Sequence, residues 1–272
     1  MHEEIVYADK VRVTYTEAFK RVAKLANVLD GLNLQKGDVI AVMDWDTHRF
    51  LEAYYAVPMS QYILQTVNIV VDKLKSYSVN LTKPVLVVLE VGCLVSHLVG
   101  YDYIRLSPEK VLYTINHAKP KVLLLNSEFA PMVKDYQFEN SSIEHIIWMD
   151  DAGMSSDGVF GKNQSWVLGE YESLLEEASD EFEFEDFDEN TIAVTFYTSG
   201  TTGNPKGVFF SHRQLVLHTL AETAILGVQP QKQGLVLCDV YMPMTPMFHV
   251  MAWGLPYTAT IMLGLKQVYP GR

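Results

Sequence analysis

The chain has 272 residues, of which 49% are hydrophobic and 20% charged, with a formal net charge of −12. This length allows one large domain or two small ones, and the composition is that of a globular protein with a substantial core. Because binding to nucleic acid needs clustered Lys and Arg, and no such cluster occurs, the acidic balance argues against that class of partner.

Targeting signals and cysteine patterns are also absent from the sequence. The first residues, MHEEIVYADK, are acidic and polar, unlike a signal peptide. Residues 85–104 are the most apolar stretch, but Glu90, His97 and Asp102 interrupt them and would be costly inside a bilayer. Cys93 and Cys238 form no metal or redox motif, which favours buried thiols in a reducing compartment. We therefore predict a cytoplasmic protein with no membrane span.

Helix and strand patterns alternate in the first half of the chain. Thr14 and Glu17 have capping-box spacing for a helix that ends near Asp30. The further predicted elements are strands over 39–43, 62–69 and 122–125 and helices over 47–56 and 107–118. Strands joined through helices at this spacing predict a parallel α/β sheet.

Residues 169–190 hold 11 of the 33 acidic residues and no basic one. We interpret this segment as a solvated linker at a subdomain boundary. A cation site is the alternative that the charge pattern leaves open.

The second half of the chain repeats the strand and helix signals. A β-branched and aromatic run over 191–198 predicts a buried strand, and 207–210 predicts a second one. Ser211 and Gln214 have capping-box spacing for a helix that ends near Gly227. We further predict a strand over 235–242 and a helix over 249–262 that bends near Pro256.

The most informative motif is the loop between the strands at 191–198 and 207–210, with the sequence TSGTTGNPKG over 198–207. Two glycines let the backbone turn sharply and approach a ligand closely. Hydroxyl groups and successive loop amides can bind an anion, and Lys206 adds a positive charge for phosphate oxygens. We expect an exposed polyphosphate-binding loop rather than a simple hairpin connection. It is not a Walker A loop, since G-x-x-x-x-G-K-[ST] does not occur.

The run YTSGTTGNPKGV followed by SHR resembles the phosphate-loop signature of the acyl-adenylate-forming superfamily. The resemblance extends from about Val11 to the end of the chain, through GDVIAVMDWDTHRFLEAYYAVP, RLSPEKVLYTINHAKPKVLL and PMFHVMAW. The last of these is most similar to medium- and long-chain fatty acid–CoA ligases. The resemblance implies an α/β fold with doubly wound, mostly parallel sheets, as in the large N-terminal domain of that superfamily.

The resemblance also implies the site residues. His249 matches a histidine beside the acyl site and is the candidate catalytic and substrate-binding residue, while Trp253 matches an indole that gates the fatty-acid tunnel in some members. On the predicted helix the two would share one face, although core packing is the plainer interpretation without the resemblance. Thr198 matches a threonine near the metal ion. The residues implied to contact the ATP phosphates are Thr198, Ser199, Gly200, Thr201, Thr202, Gly203 and Lys206.

The implied substrates and cofactors are a fatty acid, ATP, Mg²⁺ and CoA. In this chemistry the acid's carboxylate attacks the α-phosphorus of ATP, and the CoA thiol then displaces AMP. Such reactions depend on positioning and charge stabilisation rather than on a protein nucleophile. This agrees with the lack of a G-x-S-x-G signature.

Two departures from the family pattern stand out. The adenine-binding motif, the ribose-binding aspartate and the C-terminal domain with its catalytic lysine would follow Arg272, so residues 1–272 correspond to part of the N-terminal AMP-binding domain. Residues 70–104 are an apparent insertion between Ile69 and Arg105. We expect this insertion to cover bare surface or to mediate self-association into a homo-oligomer.

The sequence leaves two hypotheses of different classes open. The chain is part of a working ligase, in which case residues 1–272 alone should be nearly inactive, or it is a non-catalytic relative that binds nucleotide phosphates, an acyl ligand or a protein partner.

Overall fold

A computed structural model of the chain describes residues 4–8, 10–69, 106–162, 164–198, 203–227, 240–243 and 245–269. The strands in these residues are β1 Glu4–Tyr7, β2 Val11–Thr14, β3 Val39–Met43, β4 Ile63–Thr66, β5 Val122–Asn126, β6 His145–Met149, β7 Val167–Glu170, β8 Ile192–Thr198, β9 Lys206–Ser211, β10 Val240–Tyr241 and β11 Lys266–Tyr269. The helices are α1 Tyr15–Asp30, α2 His48–Met59, α3 Pro108–Ala118, α4 Ala130–Val133, α5 Ser156–Phe160, α6 Tyr171–Glu177, α7 His212–Gly227 and α8 Leu255–Tyr257.

Seven strands form a large sheet in the order β7-β6-β5-β3-β4-β8-β9. Every neighbouring pair is parallel except β8 and β9, which are antiparallel. Parallel neighbours need crossover connections, and the apolar strands β3 and β5 are almost entirely buried, as expected for a sheet covered on both faces. The predicted parallel α/β sheet is therefore confirmed.

Contacts from neighbouring residues of β4 show what covers the two faces. Side chains that follow one another in a strand point to opposite faces. Gln65 donates a hydrogen bond to the carbonyl of Thr114 in α3 (3.3 Å). Thr66 donates to the carbonyl of Phe248 on the other side (3.0 Å), where Tyr54 of α2 bonds to the residue before Phe248. Helices thus lie on both faces, which is the doubly wound arrangement implied by the resemblance.

A small sheet, in the order β10-β11-β1-β2, packs beside the large one. It pairs β1 from the start of the chain with β11 near its end, in parallel. Helices α1 and α2 contact β1, and Ile5 and Tyr7 of β1 belong to the same buried cluster as β3 and β5. The two sheets therefore share one hydrophobic core.

The helix starts predicted from capping boxes are confirmed. The backbone N–H of Thr14 donates to Glu17 (2.7 Å), and the N–H of Glu17 donates back to the Thr14 hydroxyl (3.2 Å). Ser211 and Gln214 make the same reciprocal pair at the start of α7, at 2.9 and 3.3 Å. Each box satisfies two backbone donors that a helix end leaves without an intrahelical partner.

The prediction of a solvated linker over 169–190 is wrong for its first part. Residues 169–177 form the end of β7 and helix α6, whose Tyr171 and Leu175 are buried. Arg21 of α1 bonds to Glu172 of this helix (2.8 Å) and to Glu52 of α2 (2.6 Å). The apolar side chains between the acidic ones are spaced to pack on one helix face, so part of the acidic run is structural.

The predicted helix over 249–262 is also wrong for its first part, residues 249–254. His249 is extended, and Val250 to Trp253 have φ values between 47° and 56°, in the left-handed region. Gly254 follows with φ 80°, and Pro256 lies in the first turn of the short helix α8, after which Thr258–Met262 form a π-helical turn. Because proline is favoured at a helix start, the chain begins a new helix there instead of bending an existing one.

Several predictions fall outside the described residues. These are the insertion over 70–104, Cys93, Cys238 and most of the strand expected over 235–242, of which Val240–Tyr241 is seen as β10. In the part of the chain that the structure describes, no helix has the length and hydrophobicity needed to cross a membrane.

Candidate nucleotide-binding site

The carboxyl ends of β3, β4, β5, β6 and β8 lie at one edge of the large sheet, because these strands are parallel. In open α/β sheets, ligands bind at this edge. The phosphate-loop segment leaves the sheet here, directly after Thr198. The topology therefore puts the sequence-predicted loop where a ligand site is expected.

The loop connects β8 to β9 as predicted. Thr198 and Lys206 are opposite each other in the antiparallel register, so the two ends of the loop are held side by side. Both residues are exposed, and Lys206 makes no ion pair with any described residue. Gly203 has φ 101°, a backbone conformation that favours glycine. Residues 199–202 lie outside the described part of the chain, so their contact with phosphate stays a prediction.

Two contacts fix the end of β8 just before the loop. Asn68, which follows β4, donates a hydrogen bond to the carbonyl of Tyr197 (2.8 Å). The Tyr197 hydroxyl lies 2.8 Å from Nδ1 of His117 in α3. Burial, with a further contribution from the nearby Tyr113, raises the pKa of Tyr197 to about 12, so this phenol stays neutral near pH 7.

A second group of contacts holds the segment that leads into His249. The backbone N–H of Met247 donates to the carboxylate of Asp46 (2.6 Å), and the Tyr54 hydroxyl donates to the Met247 carbonyl. The Thr66 hydroxyl donates to the carbonyl of the next residue, Phe248. Met247 and Phe248 are both buried. Of the three polar partners, Asp46 precedes α2, Tyr54 lies within α2 and Thr66 ends β4.

The end of β4 brings the two candidate segments together. Thr66 bonds to Phe248 beside His249, and Asn68, two residues later, bonds to Tyr197 beside the phosphate loop. The turn that contains His249 also contacts β8 directly. The structure thus places the end of β8, where the phosphate loop begins, and the segment that leads into His249 against the same strand end.

His249 and Trp253 do not share a helix face, which corrects the prediction. The backbone between them is left-handed, so the i, i+4 relation of an α-helix does not apply. Trp253 is 46% exposed, and its carbonyl oxygen lies 2.7 Å from Nε2 of His218. His249 presents an exposed edge, while partial burial lowers the pKa of its imidazole. Near neutral pH the imidazole is therefore largely uncharged.

The carboxyl group of Asp46 has unusual electrostatics. Burial raises its pKa to about 7, the hydrogen bond from Met247 opposes that rise, and the neighbouring Asp44 adds to it. Asp46 thus titrates near neutrality, beside the segment that carries His249. Sequence reasoning missed Asp46, Thr66 and Asn68. The one feature of the sequence that could have indicated these residues is that each lies near the end of a predicted strand or closely follows one.

A magnesium ion fits the residues present, provided that the substrate supplies most of its ligands. Within the described ranges, no three His, Cys, Asp or Glu side chains converge on a metal position. Mg²⁺ commonly keeps several waters and binds through few protein oxygens together with substrate phosphates. The exposed hydroxyl of Thr198 can provide such an oxygen at the start of the loop.

Comparison with known proteins identifies the family of the chain. The whole chain, residues 1–272, matches the family described as AMP-binding enzyme. It is 34% identical over 260 residues to a long-chain-fatty-acid–CoA ligase of Thermus thermophilus, covering 96% of this chain and 38% of that enzyme. It is 32% identical over 266 residues to a 3-methylmercaptopropionyl-CoA ligase of Ruegeria lacuscaerulensis, covering 96% of this chain and 40% of that enzyme.

The fold has counterparts among solved structures as well. A long-chain-fatty-acid–CoA ligase from Archaeoglobus fulgidus superposes with a TM-score of 0.68 at 16% identity, over 99% of this chain and 44% of that one. The mostly parallel sheet and the family match over residues 1–272 together define an α/β protein of one enzyme family. The chain belongs to the AMP-binding enzyme family, and it spans about two fifths of the length of the curated relatives it matches.

Proposed function

We propose that this chain is the ATP- and acyl-binding front part of a fatty acid–CoA ligase. In the proposed reaction a carboxylate oxygen of the fatty acid forms a bond to the α-phosphorus of ATP, and the bond from that phosphorus to the β-phosphate oxygen breaks. The products are acyl-AMP and pyrophosphate. The CoA thiol then attacks the acyl carbon, releases AMP and gives up its proton.

The observation that carries the proposal is that the end of β8, where the phosphate loop begins, and the segment that leads into His249 are both attached to the end of β4. A reaction between a carboxylate and a phosphate needs both groups held within bonding reach. The loop supplies hydroxyls, backbone amides and the ammonium of Lys206 for the phosphate oxygens. Bound Mg²⁺ would neutralise phosphate charge, with Thr198 as a protein oxygen beside it.

The acyl part of the proposal assigns His249 and Trp253 to the fatty-acid site. A long acyl tail needs apolar surroundings, since each buried CH₂ contributes about 0.8 kcal/mol. Phe248 is buried next to His249, and Trp253 presents an indole four residues further on. The relatives named above act on acids of different size, so the length of the tail is set by this region rather than by the phosphate loop.

Pyrophosphate exchange tests the proposal. We would measure acid-dependent exchange of labelled pyrophosphate into ATP with palmitate, octanoate, 3-methylmercaptopropionate and acetate. We expect slow exchange that palmitate or octanoate supports best and that Lys206→Ala abolishes. Lys36→Ala is the matched control, because Lys36 precedes β3 at the opposite edge of the sheet and bonds to the Ser60 carbonyl. Exchange that is unchanged by Lys206→Ala, or that acetate alone supports, would contradict it.

The same loop supports a second function, which is binding of nucleotide phosphates without catalysis. Lys206 and Thr198 can hold phosphate whether or not the rest of the reaction occurs. Binding of ATP that depends on Lys206, with no exchange for any acid, would identify this function.

Under either function we place the protein in the cytoplasm, where ATP and CoA are available, with no nucleic-acid partner.

A further inference from the structure

Asp46 links the segment after β3 to the segment that leads into His249. It follows β3 and comes two residues before α2, and its carboxylate accepts the backbone N–H of Met247 at 2.6 Å. Met247 is fully buried. A hydrogen bond from a backbone amide to a carboxylate is roughly twice as strong as one between neutral groups. Asp46 therefore fixes the chain two residues before His249.

The remaining polar groups of this stretch are fixed from the same side. Tyr54 donates to the Met247 carbonyl, and Thr66 donates to the Phe248 carbonyl at 3.0 Å. Tyr54 itself is held in place, because its own carbonyl accepts the hydroxyl of Tyr257 in α8 at 3.0 Å. Three of the four backbone hydrogen-bonding groups of Met247 and Phe248 are thus occupied by the side chains of Asp46, Tyr54 and Thr66.

The position of His249 depends on these bonds more than on its own secondary structure. The residue is extended, and a left-handed turn follows it, so no helix or strand sets its direction. Its backbone N–H bonds locally to the Pro246 carbonyl (2.9 Å), within the same short turn. Hydrogen bonds to Asp46, Tyr54 and Thr66 attach the turn just before His249 to distant parts of the chain.

We propose that Asp46 is a positioning residue that sets where the imidazole of His249 lies at the acyl site. The carboxylate acts through the backbone of Met247 and does not touch the substrate. This inference rests on the proposed function only in assigning His249 to the acyl site. The positioning itself can be measured without ATP, acid or CoA, so its failure is distinguishable from failure of the ligase proposal.

The test is nuclear magnetic resonance of the 272-residue chain with ¹⁵N-labelled histidine and backbone amides, with His249 assigned through His249→Gln. Asp46→Ala removes the acceptor, while Asp46→Asn keeps a side-chain oxygen in the same place. We expect Asp46→Ala to speed hydrogen exchange of the Met247 amide by about tenfold or more, as for loss of a bond to a charged group. The His249 ring signals should move in this variant and return close to their wild-type positions in Asp46→Asn.

Two further variants keep the test decisive. Asp38→Ala is the matched control, because Asp38 accepts the Gln35 amide at 2.8 Å at the opposite end of β3 and should leave the His249 signals unchanged. If Asp46→Ala does not fold, Thr66→Val removes the neighbouring bond to Phe248 with little change of volume and should move the same ring signals. The proposal is overturned if the His249 signals stay fixed in Asp46→Ala, or in Thr66→Val where that variant replaces it.

Discussion

Arg49 is almost fully buried among carboxylates near the carboxyl edge of the large sheet. It donates to Asp151, and its Nε lies 4.0 Å from Asp44. Asn126 donates to Asp44 at 2.7 Å, and Tyr7 of the small sheet donates to Asp151 at 3.0 Å. These polar side chains occupy the space between the carboxyl ends of β3 and β5, where the strand order reverses. They therefore join the two sheets instead of leaving a crevice there.

Replacing Arg49 should destabilise the protein strongly. Arg49→Met leaves the carboxylates of Asp44 and Asp151 without their cation, and breaking a buried pair in this way costs about 3–5 kcal/mol. Urea denaturation of the variant would measure the change in the free energy of unfolding. Arg213→Met is the control, since Arg213 and Glu189 form an exposed ion pair that contributes at most about 1 kcal/mol. Equal stability of the two variants would contradict the structural role of Arg49.

The raised pKa of Asp46 has a predictable effect on stability. Its folded-state pKa of about 7 lies above the ordinary value of 3.8, so its contribution is fully present below pH 3.8 and is lost as the pH rises from there through 7. Asp46→Asn removes this titration. We expect the stability of wild type relative to Asp46→Asn to fall between pH 4 and pH 8 in denaturant titrations. A difference that stays constant over that range would show that Asp46 has an ordinary pKa.

The sequence indicated only some of the residues at the candidate site. Thr198 and Lys206 are predictable because glycines, hydroxyls and a lysine fall within one short loop. Asp46 and Thr66 act on residues 201 and 182 positions away, and no local pattern records such a contact. Distant hydrogen bonds of this kind follow from the strand order, which the sequence does not show.

The left-handed turn before α8 depends on Gly254. Its φ is 80°, and a Cβ at this position would lie 2.8 Å from Cδ2 of His218 in α7. Gly254→Ala should therefore destabilise the protein by about 1–2 kcal/mol from the backbone alone, with a further cost from the contact. Thermal unfolding measures the effect. Gly158→Ala in α5 is the control, because nothing lies within 4 Å of an added Cβ there.

A double substitution separates the two causes. His218→Ala removes the side chain that the new methyl group would meet, but it leaves the φ of Gly254 unchanged. We expect Gly254→Ala to cost less in the His218→Ala background than in wild type, and still to cost more than Gly158→Ala. If Gly254→Ala is neutral in both backgrounds, residue 254 does not need the left-handed conformation.

The elements differ in how well their sequences specify them. α1, α2 and α7 begin where capping residues predict, because those signals are local. The prediction missed α6 because its many acidic residues suggested a solvated linker, although its buried residues have helical spacing. It missed the turn at 250–254 because distant contacts, rather than helical periodicity, determine that turn. The small sheet could not be predicted either, since it pairs β1 with β11 across almost the whole chain.

At the scale of the whole molecule, α7 presents an apolar surface to solvent. Val216, Leu217, Leu220 and Ile225 each expose between 47% and 65% of their surface. Exposed apolar side chains on one helix favour association. We expect the 272-residue chain to self-associate through this face, and Leu217→Glu with Ile225→Glu to shift it toward monomer in sedimentation velocity. Met154→Glu, at an exposed residue before α5, is the control. Equal association of both variants would place the contact elsewhere.

We propose that the loop between Thr198 and Lys206 binds the phosphates of ATP. Titration of the ¹⁵N-labelled chain with tripolyphosphate and Mg²⁺, observed at the backbone amides, measures this binding without acid or CoA. We expect shifts at Gly203, Lys206 and Gly207, which disappear in Lys206→Ala and persist in Lys36→Ala. Shifts confined to other parts of the chain, or unchanged shifts in Lys206→Ala, would contradict it.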